Sequence, residues 1–183
     1  MGVAAHNVGA AEAALGPDYL RDVAARLEVP FVSANVRSPD GRLVAEPLRI
    51  VRAGGRRVAL VGVLDPKMAG PGVRVDPPRE AILQALQAAA GRYDVAIVLA
   101  YLPREGLRNL ATELPEVDAV VGGPTGQPME PERVGTVLVV SATNKGKFLA
   151  RLDAPPAGSP RTRSAGWSAE IVPMHEQWPD EPG

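Results

Sequence analysis

Two histidines, His6 and His175, and no cysteine are the whole supply of imidazole and thiolate in this 183-residue chain. Without cysteine there is no disulfide, no thiolate zinc site, no iron–sulfur cluster and no cysteine nucleophile. The two histidines stand 169 positions apart, and no spacing argument brings them together, so a histidine-rich metal centre is hard to build. Ser33 and Ser141 have no histidine near them in sequence, so a Ser-His-Asp arrangement has no support either. The remaining groups with chemical potential follow apolar runs. They are Gly9-Ala10-Ala11-Glu12, Asp65-Pro66, Tyr101-Leu102-Pro103 and Gly122-Gly123-Pro124-Thr125-Gly126.

Each of these sites reads two ways. Bare glycines after a strand let a backbone approach a phosphate, or they simply make a tight turn. The specific phosphate fingerprints, G-x-G-x-x-G and G-x-x-x-x-G-K-[ST], are both missing. Glu12 is a candidate general base, or an acid placed in the first turn of a helix where the dipole favours it. Asp65 is the one acid directly after an apolar strand, but Asp-Pro is also a common turn opener. Tyr101 suits a site or an amphipathic rim equally. Asn144-Lys145-Gly146-Lys147 looks like an anion site in isolation, and a turn between two strands explains it as well.

The elements that would position these groups follow from periodicity. A strand is expected over Val3 to Val8. A helix should begin at Pro17, with Leu20, Val23, Ala24 and Leu27 on one face. Phe31 to Asn35 reads as a short buried strand. Leu48 to Arg52 and Arg57 to Val63 flank Ala53-Gly54-Gly55 as a β-hairpin. The second arm is continuously apolar, so both of its faces should be covered. Asp76 is placed to cap a helix opening at Pro77-Pro78 that buries Ile82, Ala85, Leu86 and Ala89. A strand over Asp94 to Ala100, a helix over Arg104 to Leu114 and a strand over Asp118 to Val121 complete a strand–helix–strand–helix–strand series. Thr136 to Ser141, Lys147 to Asp153 and Ser168 to Val172 add further strands. Ala154 to Gly166 reads as a linker and His175 to Gly183 as a tail. The fold class is therefore α/β, a mixed sheet flanked by helices, with ligand sites expected at the carboxyl ends of the parallel strands.

Composition agrees with a soluble fold of about one domain at roughly 150 residues per domain. Apolar residues are 45% and charged residues 22%, and the 19 glycines and 19 prolines are turn-rich without being low-complexity. A net charge of −1 argues against a nucleic-acid grip, which needs excess Lys and Arg. No window reaches the ~18 apolar residues of a membrane span, and no signal peptide is legible, so the chain as given is expected in the cytoplasm.

Gly9-Ala10-Ala11-Glu12 and Pro30-Phe31-Val32-Ser33-Ala34-Asn35-Val36 resemble motifs of the calcineurin-like metallophosphoesterases of the 5′-nucleotidase type. Arg57 to Leu64 resembles that family's apolar "K-V-G-V-I-G-L" strand. Asp94 to Tyr101 stands where the family has a strand ending Ser-His. Asp118 to Gly126 resembles its "D-V-I-V-G-G-H-T-H", and Thr136 to Asp153 its closing strands. The likeness is collinear over residues 1–153 and implies a partial α/β/β/α sandwich, with 154–183 as linker and tail. It also implies phosphoester hydrolysis by two divalent metals and a metal-activated water. The family's ligand positions fall on Ala10, Ala11, Tyr101, Pro124 and Gly126, and none of these is the family's Asn or His. The expectation is thus a non-catalytic domain with no metal cofactor. Gly9, Glu12, Asn35, Asp65, Gly122 and Gly123 remain as candidate cleft residues.

The family's first β-α-β unit, with its "D-x-H" and "G-D" ligands, would lie before Met1. Two alternatives follow: an active nucleotide hydrolase completed by that upstream sequence, or a module binding a nucleotide, a phosphoester or a partner. Association through an exposed sheet edge is a further expectation. Family members are often periplasmic or secreted.

Overall fold

The continuous apolar runs form the centre of a mixed sheet, as residues buried on both faces must. The computed structural model describes residues 2–127, 129–142, 147–155 and 166–174. In chain order the strands are β1 (His6–Asn7), β2 (Phe31–Val32), β3 (Val36–Arg37), β4 (Leu48–Ala53), β5 (Arg56–Leu64), β6 (Arg74–Val75), β7 (Val95–Tyr101), β8 (Ala119–Gly123), β9 (Met129–Val134), β10 (Val137–Ser141), β11 (Phe148–Asp153) and β12 (Ser168–Pro173). The helices are α1 (Ala10–Leu27), α2 (Pro78–Ala88) and α3 (Arg104–Glu113), with a 3-10 turn at Pro66–Met68.

Six strands make the main sheet in the order β4-β5-β7-β8-β10-β9. The four central strands run parallel, while β4 and β9 lie antiparallel at the edges. This is the expected strand–helix–strand–helix–strand series, with α2 and α3 as its crossovers. One face carries Val61, Val63, Val98, Ala100, Val120 and Val139, packed under Ile82 and Leu86 of α2 and Leu107 and Leu110 of α3. At about 25 cal/mol per Å2 of apolar surface removed from water, this layer is the main stabilising term. The opposite face shows the alternate residues. Val58, Val95, Ala119 and Leu138 pack there against Trp167 beneath the β11–β12 hairpin. At the other end of that face lies the short parallel pair β1–β2.

Gly62 explains how that pair approaches so closely. A Cβ at position 62 would come within 2.4 Å of the Val32 carbonyl oxygen and 2.5 Å of Asn7 Oδ1. Only glycine leaves room for a second backbone there.

Several boundaries differ from the sequence expectations. The first strand is only His6–Asn7, and its partner only Phe31–Val32. Helix begins at Ala10 rather than Pro17. It breaks at Gly16 (φ 82°, ψ 167°) and resumes through Pro17, so the proline marks the second helical segment. Asp76 does not cap α2: its carboxylate pairs with Arg37 and Arg74, and α2 opens on Pro77-Pro78 with no side-chain cap. Strand β9, Met-Glu-Pro-Glu-Arg-Val, was not expected, because an edge strand carrying a proline shows no apolar run. Asn144 to Gly146 and His175 to Gly183 lie outside the described residues.

Candidate functional site

Parallel register brings most of the candidate residues to one end of the sheet. Leu64 pairs with Tyr101, Ala100 with Gly122 and Tyr101 with Gly123, so the turns after β5, β7 and β8 open side by side. The Asp65 N–H donates to the Tyr101 carbonyl at 3.0 Å, which ties the first two turns together. The turn after β1 joins them through contact rather than pairing. The Tyr101 ring lies against Gly9, where a Cβ would meet ring carbons Cδ2 and Cε2 at 2.9 and 3.0 Å. Tyr101 is half-buried and packs with the cluster of Val8, Ala13, Leu20, Val36 and Leu64.

The ionisable candidates serve local structure. Glu12 Oε2 accepts from the Gly9 N–H at 3.0 Å, closing the first turn of α1. Its Oε1 lies 3.5 Å from Nε2 of His6, whose exposed ring meets Phe31 edge-on with centroids 5.1 Å apart. Asp65 Oδ1 accepts from the Lys67 N–H at 2.9 Å and so caps the 3-10 turn.

Asn35, expected at the cleft, is fully buried and turned to the main chain. Its Nδ2 donates to the carbonyls of Leu64 (2.8 Å) and Asp76 (3.0 Å), and its Oδ1 accepts from the Leu64 N–H (3.0 Å). A single side chain thereby makes the hydrogen bonds of an extra strand residue beside β5.

Two polar side chains near this end take roles that sequence reasoning did not assign. Asn7 Nδ2 donates to the Val63 carbonyl at 2.9 Å, fastening β1 to β5 as Asn35 fastens the following segment. Its signal was an amide at the end of an apolar run, directly before Val8-Gly9. The Thr125 hydroxyl donates to the Gln127 carbonyl at 2.6 Å and lies 3.1 Å from the hydroxyl of Ser141, which is wholly buried. Those two hydroxyls stitch the turn after β8 to the end of β10.

The two divalent metals implied by the sequence resemblance do not fit this donor set. Ala10 and Ala11 have methyl side chains, Gly126 has none, and Pro124 offers no donor. Tyr101 brings a phenol, but its ring is packed on Gly9. Among the described residues no group of three or more His, Cys, Asp or Glu side chains could hold a metal ion. Nor, among them, is any helix long and apolar enough to cross a membrane.

No protein-family model matches the chain, and no curated protein matches it by sequence. Solved structures do share its fold. The sulfate thiohydrolase SoxB of Thermus thermophilus aligns with a TM-score of 0.78 and 21% identity, over 94% of this chain and 33% of that one. A 5′-nucleotidase precursor, also from Thermus thermophilus, aligns at 0.72 and 24%, over 93% and 38%. The calcineurin-like phosphoesterase YfkN of Bacillus subtilis aligns at 0.74 and 21%, over 92% and 63%. At these identities the likeness establishes the fold: the α/β architecture of 5′-nucleotidases and calcineurin-like phosphoesterases. The chain spans between a third and under two thirds of the length of these structures.

Proposed function

We propose that this chain is a metallophosphoesterase-like domain that does not itself hydrolyse phosphoesters and serves as a binding or structural module. One observation carries the reading. The five strand-end positions at which the resemblance implies metal ligands hold Ala10, Ala11, Tyr101, Pro124 and Gly126. Metal-activated hydrolysis requires several fixed donors and an open coordination position, and these side chains supply neither.

The electrostatics of the cleft support a partner over a phosphate ligand. A helix N-terminus binds phosphate through free N–H groups and positive partial charge. Here the Glu12 carboxylate already accepts from the Gly9 N–H. An incoming phosphate would meet the Glu12 side chain and the Tyr101 ring beside Gly9, whose N–H is already taken.

The test is hydrolysis. The purified 183-residue chain is incubated with Mn2+, Zn2+ or Co2+ and then with AMP or p-nitrophenyl phosphate, and released phosphate or nitrophenol is followed. The expected result is the rate of the metal-containing buffer alone. Metal-dependent turnover by the chain would overturn the proposal and make it a hydrolase.

A further inference from the structure

The joint between β1 and α1 brings the one described histidine to a carboxylate six residues further on. Side chains alternate along an extended strand. Asn7 reaches inward to the Val63 carbonyl of β5, so His6 is turned to the outer face. There its ring is set edge-on to Phe31. Val8 is fully buried and Gly9 caps the helix, which places Glu12 in the first turn of α1. The Gly9 N–H holds Glu12 Oε2 at 3.0 Å, and Oε1 stands 3.5 Å from His6 Nε2. The two side chains are 47% and 29% exposed, so the space between them opens to solvent.

A separation of 3.5 Å is too long for a good hydrogen bond, whose N···O distance is about 2.7–3.2 Å. It suits two ligands of one ion. Zinc–nitrogen bonds of about 2.0–2.1 Å and zinc–oxygen bonds of about 2.0–2.2 Å, at the tetrahedral angle, put the donor atoms about 3.3–3.5 Å apart. Ligating carboxylates are ordinarily oriented by a hydrogen bond of their own, and the Gly9 N–H supplies one to Oε2. An imidazole nitrogen with a carboxylate oxygen is a zinc donor pair, whereas magnesium prefers oxygen alone.

We propose that His6 Nε2 and Glu12 Oε1 together bind one Zn2+ ion on the outer side of the β1–α1 joint. No third His, Cys, Asp or Glu joins them among the described residues, so water fills the remaining positions. Neither residue is one of the five strand-end positions at which the resemblance implies metal ligands. The site is therefore separate from that two-metal centre, and the inference does not rest on the non-catalytic reading. Two protein donors supply about half the binding free energy of a four-donor site, a Kd on the order of 10–100 µM. An ion held so weakly exchanges with the buffer and is stripped by desalting. Because it ties a strand residue to a helix residue, it prefers the folded chain and stabilises the joint as its occupancy rises.

The test titrates the whole chain, nitrogen-15 labelled, with zinc chloride near neutral pH, followed by calorimetry and by NMR of the imidazole nitrogens. One ion per chain should bind, and the His6 Nε2 resonance should move with Zn2+ but not with the same concentration of Mg2+. Glu12→Gln keeps an oxygen for the Gly9 N–H and loses the carboxylate, and His6→Phe keeps the edge-on contact with Phe31. Each should weaken zinc by about tenfold or more, since each removes one of the two donors. His175→Ala should leave the Kd unchanged. Parent affinity in Glu12→Gln or His6→Phe, binding lost in His175→Ala, or saturation only above about 1 mM would overturn the proposal. So would a His6 resonance that zinc leaves in place, a reading that needs no variant and stands even if one folds poorly. Phosphate release is measured separately. Zinc at His6 without turnover leaves the proposed function standing, and turnover that persists in Glu12→Gln would sink that reading alone.

Discussion

The ring of Tyr101 rests on the backbone of Gly9, so close that a Cβ at position 9 would come within 2.9 Å of ring carbon Cδ2. The two residues end β7 and follow β1, strands belonging to different sheets. Their contact closes the end of the fold where the chemistry of a strand-end cleft would sit. An imidazole at position 101 would offer a donor there; the tyrosine offers a packing surface.

This contact is measurable. Gly9→Ala should cost about 1–2 kcal/mol, because the added methyl meets both the ring and the Glu12 carboxylate. Tyr101→Ala should cost on the order of 2–3 kcal/mol through lost burial. In the Tyr101→Ala background Gly9→Ala should cost less, because only the contact with the Glu12 carboxylate remains. Urea denaturation of the four proteins of this double-mutant cycle reads the coupling. Additive losses would show that the ring does not hold position 9.

Asn35 should be intolerant even of a close mimic. Asn35→Ala leaves the Leu64 N–H and two carbonyls without their partner, at about 2–4 kcal/mol. Asn35→Asp keeps the shape but turns a carboxylate oxygen towards the carbonyls of Leu64 and Asp76. Its destabilisation should therefore grow as pH rises from 4 to 8, the reverse of an ordinary surface Asn→Asp change. Thermal melts across that pH range check it.

Asp76 gives stability with the opposite dependence on pH. The hydrogen bond from Arg37 holds its carboxyl below the ordinary carboxylate range, with burial working against this and the Arg74 charge assisting. A folded pKa below the unfolded one contributes stability fully present above the unfolded value, about 3.9, and lost as pH falls through the folded value. Asp76→Asn should thus lower the melting temperature at pH 7, by about 1–2 kcal/mol in stability. The gap from the parent should stay constant down to about pH 5 and narrow below about pH 4. A gap that widens on acidification would contradict this account.

Much of the fold was legible in the sequence, and the physical reason is burial. Val58 to Val63, Val95 to Ala100 and Ala119 to Val121 are apolar on both faces because the parallel strands are covered on both, and that pattern survives in the one-dimensional string. The Gly54-Gly55 turn was legible too, with both glycines at positive φ (56° and 75°). What escaped detection depends on tertiary partners. Strand β9 is polar because it is an edge, so its Pro131 and glutamates mimic a loop. Asp76 has the sequence context of a helix cap, yet two arginines from outside α2 take its carboxylate.

At the candidate site, residue types were legible and roles were not. Sequence alone places Tyr101 after a strand, but not its ring on Gly9, 92 positions away. Asn35 stood out as part of a motif, and only the structure turns its amide to the main chain of Leu64. Asn7 drew no attention because a lone amide at a strand end has no pattern to match.

Metal stoichiometry bears most directly on the central proposal, that Ala10, Ala11, Tyr101, Pro124 and Gly126 give this chain no site for two metals. The chain is dialysed against Mn2+, Zn2+ or Co2+, passed through a desalting column and analysed by mass spectrometry for metal per polypeptide. The account predicts well under one ion per chain, no different from a Tyr101→Phe variant that lacks the phenolic oxygen. Two ions per chain, retained after desalting, would contradict it.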